Sequence, residues 1–232
     1  MANAQETIEF ESLTPWTGTF LNLDKPRTVS QSASEKARFS ANFEIDKDDP
    51  EIQRLRAAIV ACARQKWPAL DVGAAIKSGA LQVSLQDGDK LADKAAKDNE
   101  TPTHKNYQKN RLREWSRGKS VLVARSEFMP PVTIRENGIS IALDGQDAIA
   151  RSRNKFFYTG VKVLFAVRLN AYDAVGAKGL PGVNAYLAQV ESLGHGTKLI
   201  ATRDPTDRFK GYRGSEKNED PTGGDAAGDS DW

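Results

Sequence analysis

The sequence is poor in the residues that cross-linking and most catalysis need. Cys62 is the single cysteine among 232 residues, so no intrachain disulfide can form. That count points to a reducing, cytoplasmic setting. Cys62 lies in an apolar helical pattern and reads as a small buried hydrophobe, not a nucleophile. There are two histidines, His104 and His195. Neither has a histidine or cysteine at ligand spacing, which argues against a zinc site. Walker A and dinucleotide fingerprints are absent, and no nucleophile elbow is visible. No cofactor is implied. No apolar run approaches the roughly 20 residues of a membrane helix. The opening "MANAQETIEFESL" has neither a basic n-region nor an apolar h-region, so no signal peptide is expected.

What the chain does have is charge, unevenly placed. Charged residues make up 28% of it and the formal net charge is +2. The last stretch, Glu216 to Trp232, holds six acids and one base, a net of −5 that leaves +7 on the remainder. A basic body with an acidic tail fits a polyanion-binding surface with a built-in competitor, or a solubilising tail. The ending "GDAAGDSDW" favours recognition. Aspartates alone would solubilise, but Trp232 is costly to leave in water and suits docking into an apolar pocket.

Alternation marks the strands. In "GTFLNLDKP", Thr19, Leu21 and Leu23 oppose Phe20, Asn22 and Asp24, and Pro26 is expected to end the strand. In "KARFSANFEI", Phe39, Ala41, Phe43 and Ile45 read as core, and Arg38, Ser40, Asn42 and Glu44 as the polar side. "KSVLVARS" is a third strand. "GVKVLFAVRLNAY" reads as the longest, with Val161, Val163, Phe165, Val167 and Leu169 on one face; "VNAYLAQVESL" runs back beside it. "MPPVTIRENGISIAL" is extended, with a turn at Asn137-Gly138. Between the second and third strands, "DPEIQRLRAAIVACARQKWP" is a helix capped by Asp49, with Pro50 in its first turn and Ile52, Leu55, Ile59 and Cys62 buried. Trp67 reads as a lid on the core. "DVGAAIKSG" and "KLADKAAKDN" suggest further short helices. The fold expected is mainly β: an OB-fold, a five-stranded, partly open Greek-key barrel, with an added helix between strands 2 and 3. Residues 1–203 would form it, with a basic insertion at about 100–119, and 204–232 would be a disordered acidic tail.

Two stretches carry candidate binding chemistry. From Lys105 to Lys119 there are six bases and one acid, with Tyr107 and Trp115 among them. From Arg151 to Arg168, "RSRNKFFYTGVKVLFAVR", there are five bases and no acid. Single-strand binders combine a positive groove with aromatic rings on which bases stack. On that logic the candidates are Tyr107, Arg111, Arg113, Trp115, Arg117, Lys119, Arg151, Arg153, Lys155, Phe157, Tyr158, Lys162, Arg168 and Tyr172. One of Phe156 and Phe157 is expected to face the core instead. Two other readings stay open. Stacking grooves also accept RNA, so an RNA-binding or chaperone module is one. The other is a metal-dependent nuclease, with magnesium held by Asp144, Asp147 and Asp173, although Asp-Gly is ordinary turn chemistry.

Several stretches together resemble the OB-fold single-stranded-DNA-binding proteins of tailed bacteriophages. They are "FEIDKDDPEIQRLRAAIVAC", "LQDGD", "FFYTGVKVLFAVRLNAYDAVGAKGLPGVNAYLAQVESLG" and the acidic tail closed by an aromatic. The resemblance covers most of the first 200 residues. It implies a replication and recombination accessory protein that coats and protects single-stranded DNA without catalysis, in the cytoplasm of an infected bacterium. It also implies that Asp225, Asp229, Asp231 and Trp232 recruit replication proteins (a polymerase, helicase or primase) and compete with DNA. It implies no membrane partner and leaves a homodimer open.

Overall fold

Hydrophobic alternation of period two, closed on itself, builds this chain. The computed structural model describes residues 7–28, 36–98, 112–174 and 179–199. In chain order the elements are β1 (Ile8–Glu11), β2 (Trp16–Arg27), β3 (Arg38–Asp46), α1 (Pro50–Lys66), α2 (Val72–Ser78), β4 (Gln82–Val83), β5 (Leu85–Asp87) and α3 (Gly88–Asp98). A 3₁₀ turn (Leu112–Ser116), β6 (Lys119–Ser126), β7 (Val132–Glu136), β8 (Ile139–Ala142), α4 (Gly145–Phe156), β9 (Val161–Tyr172) and β10 (Gly182–Gly196) follow.

Five strands close a ring. β2 pairs with β3, β3 with β6, and β10 with β9, all antiparallel; β9 returns to β2 at Trp16–Gly18. β6 and β10 run parallel, at Ala124–Ala185 and Arg125–Tyr186. This is the OB connectivity, mainly β as expected. The parallel seam is short, and the insertion between β3 and β6 fills the rest of it. β4 pairs with β10 and β5 with β6, and Ser84 between them hydrogen-bonds to both sides: its N–H reaches the Val183 carbonyl and its carbonyl accepts from Val123 N–H. β1 adds to the outer side of β9, and β7 and β8 extend the sheet beyond β10.

The core is aromatic at its centre. Phe43 and Phe165 stack 3.9 Å apart at 2°, and Trp16 meets Phe165 edge-on at 5.2 Å. The Trp16 indole N–H donates to Glu51, a buried carboxylate at the start of α1 that also accepts the Leu13 N–H, 3.1 Å each. One acid thus ties the β1–β2 connection to the helix, beyond its favourable place at the positive helix end. α1 is capped by Asp49 as expected and buries Ile52, Leu55, Ile59 and Cys62. Trp67 packs against that core. At Asn137-Gly138 both residues have positive φ, 51° and 78°, the type I′ turn that Asn-Gly favours.

The structure corrects four details. β2 runs past Pro26 to Arg27; the missing N–H falls in an irregular stretch between the Asn22–Ser40 and Arg27–Arg38 rungs. β10, at 15 residues, is longer than β9, at 12. Asn42 and Glu44, on the polar side of β3, are both buried. Finally, Gly145–Phe156 forms α4, between the third and fourth barrel strands, where only turn and strand signals were read. Its fully buried residues are Ile149 and Phe156, one apolar anchor per two turns, too sparse a stripe to show as an amphipathic helix.

Phe165→Ala should destabilise the fold by about 3–5 kcal/mol, because the cavity lies among rings that cannot collapse into it. Urea unfolding followed by tryptophan fluorescence would show the midpoint fall.

Candidate nucleic-acid interface

The outward residues of the barrel strands form one face. The ladder registers place Asn22, Ser40, Arg125, Tyr186 and Arg168 in a single row across β2, β3, β6, β10 and β9. Two adjoining depressions follow that face. One encloses about 300 Å³ and is lined by Arg38, Gln82, Gln86, Arg125, Tyr172 and Tyr186, among others. The second encloses about 360 Å³ and is lined by Phe20, Asn22, Arg27, Ser40, Asn42, Arg113 and others. Gln86, Val123 and Arg125 belong to both, so the two make one groove. It carries four arginines and three aromatic rings, with no aspartate or glutamate among its described lining residues.

Phe20 reaches the groove through a bulge. Thr19 pairs with Asn42 and Asn22 with Ser40, so Phe20 and Leu21 together oppose Ala41. Inward residues are Trp16 and Gly18 before the bulge, and Leu21 and Leu23 after it. The extra residue shifts the parity of the strand and leaves Phe20 outward, at a φ of 51°. That left-handed conformation is uncommon for an aromatic and is retained where surroundings enforce it. The Arg113 guanidinium lies 4.8 Å over the Phe20 ring.

Arg113 is placed by the insertion. It sits on the 3₁₀ turn, which packs against α3. The contact needs Gly88, where a Cβ would lie 1.9 Å from the Ser116 carbonyl oxygen. Beneath the turn, Glu44 is 2% exposed and accepts the Thr19 and Ser116 hydroxyls, each at 2.9 Å. Among the described residues its second oxygen, Oε2, has no hydrogen-bond partner, and neither does the buried Nη1 of Arg113. Burial lowers the Arg113 pKa and the Glu44 charge opposes that shift. A buried acid therefore backs the cation that faces the groove.

At the other end, Tyr172 lies across Gly182, where a Cβ would come within 2.5 Å of the phenol oxygen. Tyr186, 41% exposed, stands beside Arg125 on one side and Arg168 on the other. Arg27 and Arg38 are directly opposed across β2 and β3. Arg38 is already paired with Glu127 at 3.4 Å, which offsets part of the repulsion between the two like charges.

The sequence-derived candidates divide. Arg113 and Tyr172 line the groove. Trp115, 46% exposed, shares the 3₁₀ turn with Arg113. Arg168 flanks Tyr186 but pairs with Glu9 at 2.8 Å. Arg117 is held by Asp93 and Glu114, Arg153 by Asp24 and Lys155 by Glu136. Lys162 donates to the Thr17 hydroxyl at 3.0 Å. Arg151 is exposed on α4, and Lys119 begins β6. The Tyr158 hydroxyl donates to the Gly196 carbonyl. Phe157 is a correction: it is 4% exposed, and Phe156 beside it 6%, so both rings belong to the core and neither can stack on a base. Tyr107, Arg111 and the tail residues Asp225, Asp229, Asp231 and Trp232 lie outside the described residues. Phe20, Arg27, Arg38, Arg125 and Tyr186 were not among the candidates. Their signal was an arginine or aromatic at an outward-parity position of a strand.

For the nuclease reading, Asp144 stands at the N-cap of α4, Asp147 lies in its first turn, and Asp173 pairs with Lys66 at 2.8 Å. Among the described residues no three histidine, cysteine or carboxylate side chains converge as a metal site. No described helix is long and apolar enough to cross a membrane.

Comparisons with known proteins agree with this fold. The solved single-stranded-DNA-binding protein of bacteriophage Enc34 in complex with single-stranded DNA has a TM-score of 0.54 at 16% identity, covering 85% of this chain and 96% of that one. A further structure of the same phage protein gives 0.54 at 17% identity, over 90% and 97% of the two chains. The single-stranded-DNA-binding protein gp2.5 of bacteriophage T7 gives 0.50 at 12% identity, over 96% and 100%. At these identities the likeness shows a shared fold. No curated protein matches the sequence. The family model described as the single-stranded-DNA-binding protein of Enterobacter phage Enc34 matches residues 18–222, most of the sequence. The chain therefore belongs to the family of the Enc34 phage single-stranded-DNA-binding protein.

Proposed function

We propose that this chain binds single-stranded DNA along the barrel face, largely without regard to sequence, and coats and protects it during phage replication and recombination. The observation that carries the proposal is the groove itself: four arginines and three aromatic rings, with no described carboxylate lining it. The arginines neutralise phosphates, and the rings of Phe20, Tyr172 and Tyr186 offer faces on which any base can stack. Arg27 and Arg125 have no ion-pair partner among the described residues and are free to meet phosphate. The Enc34 relative, solved with single-stranded DNA, supports the reading.

The tail has a second role in this proposal. Residues 204–232, with Asp225, Asp229, Asp231 and Trp232, compete with DNA electrostatically and recruit replication proteins. The opposite charges of tail and body, −5 and +7, support this.

Oligo-dT titrated at several salt concentrations, with tryptophan fluorescence as the readout, tests the function. Tight binding that weakens with salt is expected; binding indifferent to salt would refute it. Arg125→Ala should weaken binding to all sequences alike and flatten the salt slope by about one.

Glu44→Gln gives a test of opposite sign. If the acid only repelled DNA, its removal would tighten binding. Because it backs Arg113 over Phe20, affinity should instead fall about fivefold, corresponding to roughly 1 kcal/mol.

Deleting residues 216–232 should tighten DNA binding at low salt. Unchanged affinity would show that the tail does not compete.

A further inference from the structure

The part of the groove beside Phe20 is built to read, not only to attract. Asn42 is 7% exposed, lines this depression, and makes no side-chain hydrogen bond with any described residue. Neither of its amide atoms is among the buried polar atoms that lack a partner, so the amide opens onto the depression and is available to a ligand. Arg113 lines the same depression, its guanidinium 4.8 Å over the Phe20 ring and its Nη1 buried, which leaves Nε and Nη2 as its remaining donors. A planar guanidinium presents a directed fork of donors, where a lysine presents only charge. The depression encloses about 360 Å³, within the usual range for a small-ligand site.

We infer that this pocket takes the edge of a guanine base, so that one position along the bound strand is read while its neighbours are not. The inference rests on the single-stranded-DNA reading above and adds a base preference at that same site. Guanine presents O6 and N7 side by side as acceptors, the pair that an arginine fork matches. Its N1–H and amino group are donors, and the Asn42 amide oxygen supplies the acceptor that a guanidinium lacks. Adenine and cytosine each place an amino donor where guanine has O6, which sets donor against donor at Arg113. Thymine offers one carbonyl there, with a methyl group beside it. A phosphate would use Arg113 and the Asn42 amino group but offers no donor to the Asn42 carbonyl.

The test uses the full chain and an oligo-dT of about ten nucleotides, within the span of one OB fold. The oligomers carry no substitution, or a single central dG, dA or dC, and compete with one another across a salt series. The dG oligomer should bind about tenfold tighter than the others, with a ratio that does not depend on salt, since base contacts release no counterions. Arg113→Lys keeps the charge and loses the fork. Asn42→Ala removes the amide. Each should bring the ratio of dG-oligomer to plain oligo-dT affinity down to about one, whatever the change in overall affinity, and circular dichroism checks that both variants fold. Equal affinity for all four oligomers, preference for another base, or a dG advantage that survives both substitutions would overturn the inference and leave single-stranded binding intact. Failure to bind any oligomer at low salt would instead overturn the underlying reading.

Discussion

A strand closed into a small barrel can give the core only every second residue, and most of what is proposed to bind here is drawn from the other half. In β9, Val161, Val163, Phe165, Val167, Leu169 and Ala171 all turn inward. Its outward residues are thereby delivered, at fixed spacing, to the surface that β10 continues. The stack of Phe43 on Phe165, with Trp16 against its edge, holds β2, β3 and β9 around one centre. The row from Asn22 to Arg168 across five strands is the outer consequence of that inner packing.

Parity leaves no freedom within a strand, so placing an aromatic on the outside where the pattern would put it inside takes an extra residue. That is the role of the bulge at Phe20. Leu21 and Leu23 keep their core positions, and the cost is a strained φ at one residue. Arg113 then covers the displaced ring, and Glu44 fixes the turn that carries Arg113. Backbone irregularity, buried acid and outward cation form one assembly. It involves β2, β3 and the long insertion, and it works only because Gly88 lets α3 approach the 3₁₀ turn.

Much of the frame was legible in the sequence because the core repeats a simple period. The alternation of β3 and β9, the Asp49 cap and Pro50 of α1, and the Asn137-Gly138 turn all appear where local chemistry places them. α4 was not legible, because two buried residues in twelve make no visible stripe. The site was harder to read for a different reason. Density of positive charge along the chain drew the eye to 151–155, yet Arg153 and Lys155 are already matched by Asp24 and Glu136, acids remote in sequence. Arg125 and Tyr186 look unremarkable in their own segments and matter because parallel pairing sets them side by side.

The sequence by itself determined the five barrel strands, the core-facing alternation of β9, the capped helix between the second and third barrel strands, and the opposition of basic body to acidic tail. These follow from local periodicity, capping chemistry and composition, and none requires knowing what lies across a ladder. The tertiary structure alone decided which cations remain unpaired, which of the clustered aromatics are buried, and which residues share a groove. Those properties depend on neighbours brought together by register and closure. Phe157 and Phe20 show the difference: the ring in the aromatic cluster went to the core, and the isolated one was turned out by a single extra residue.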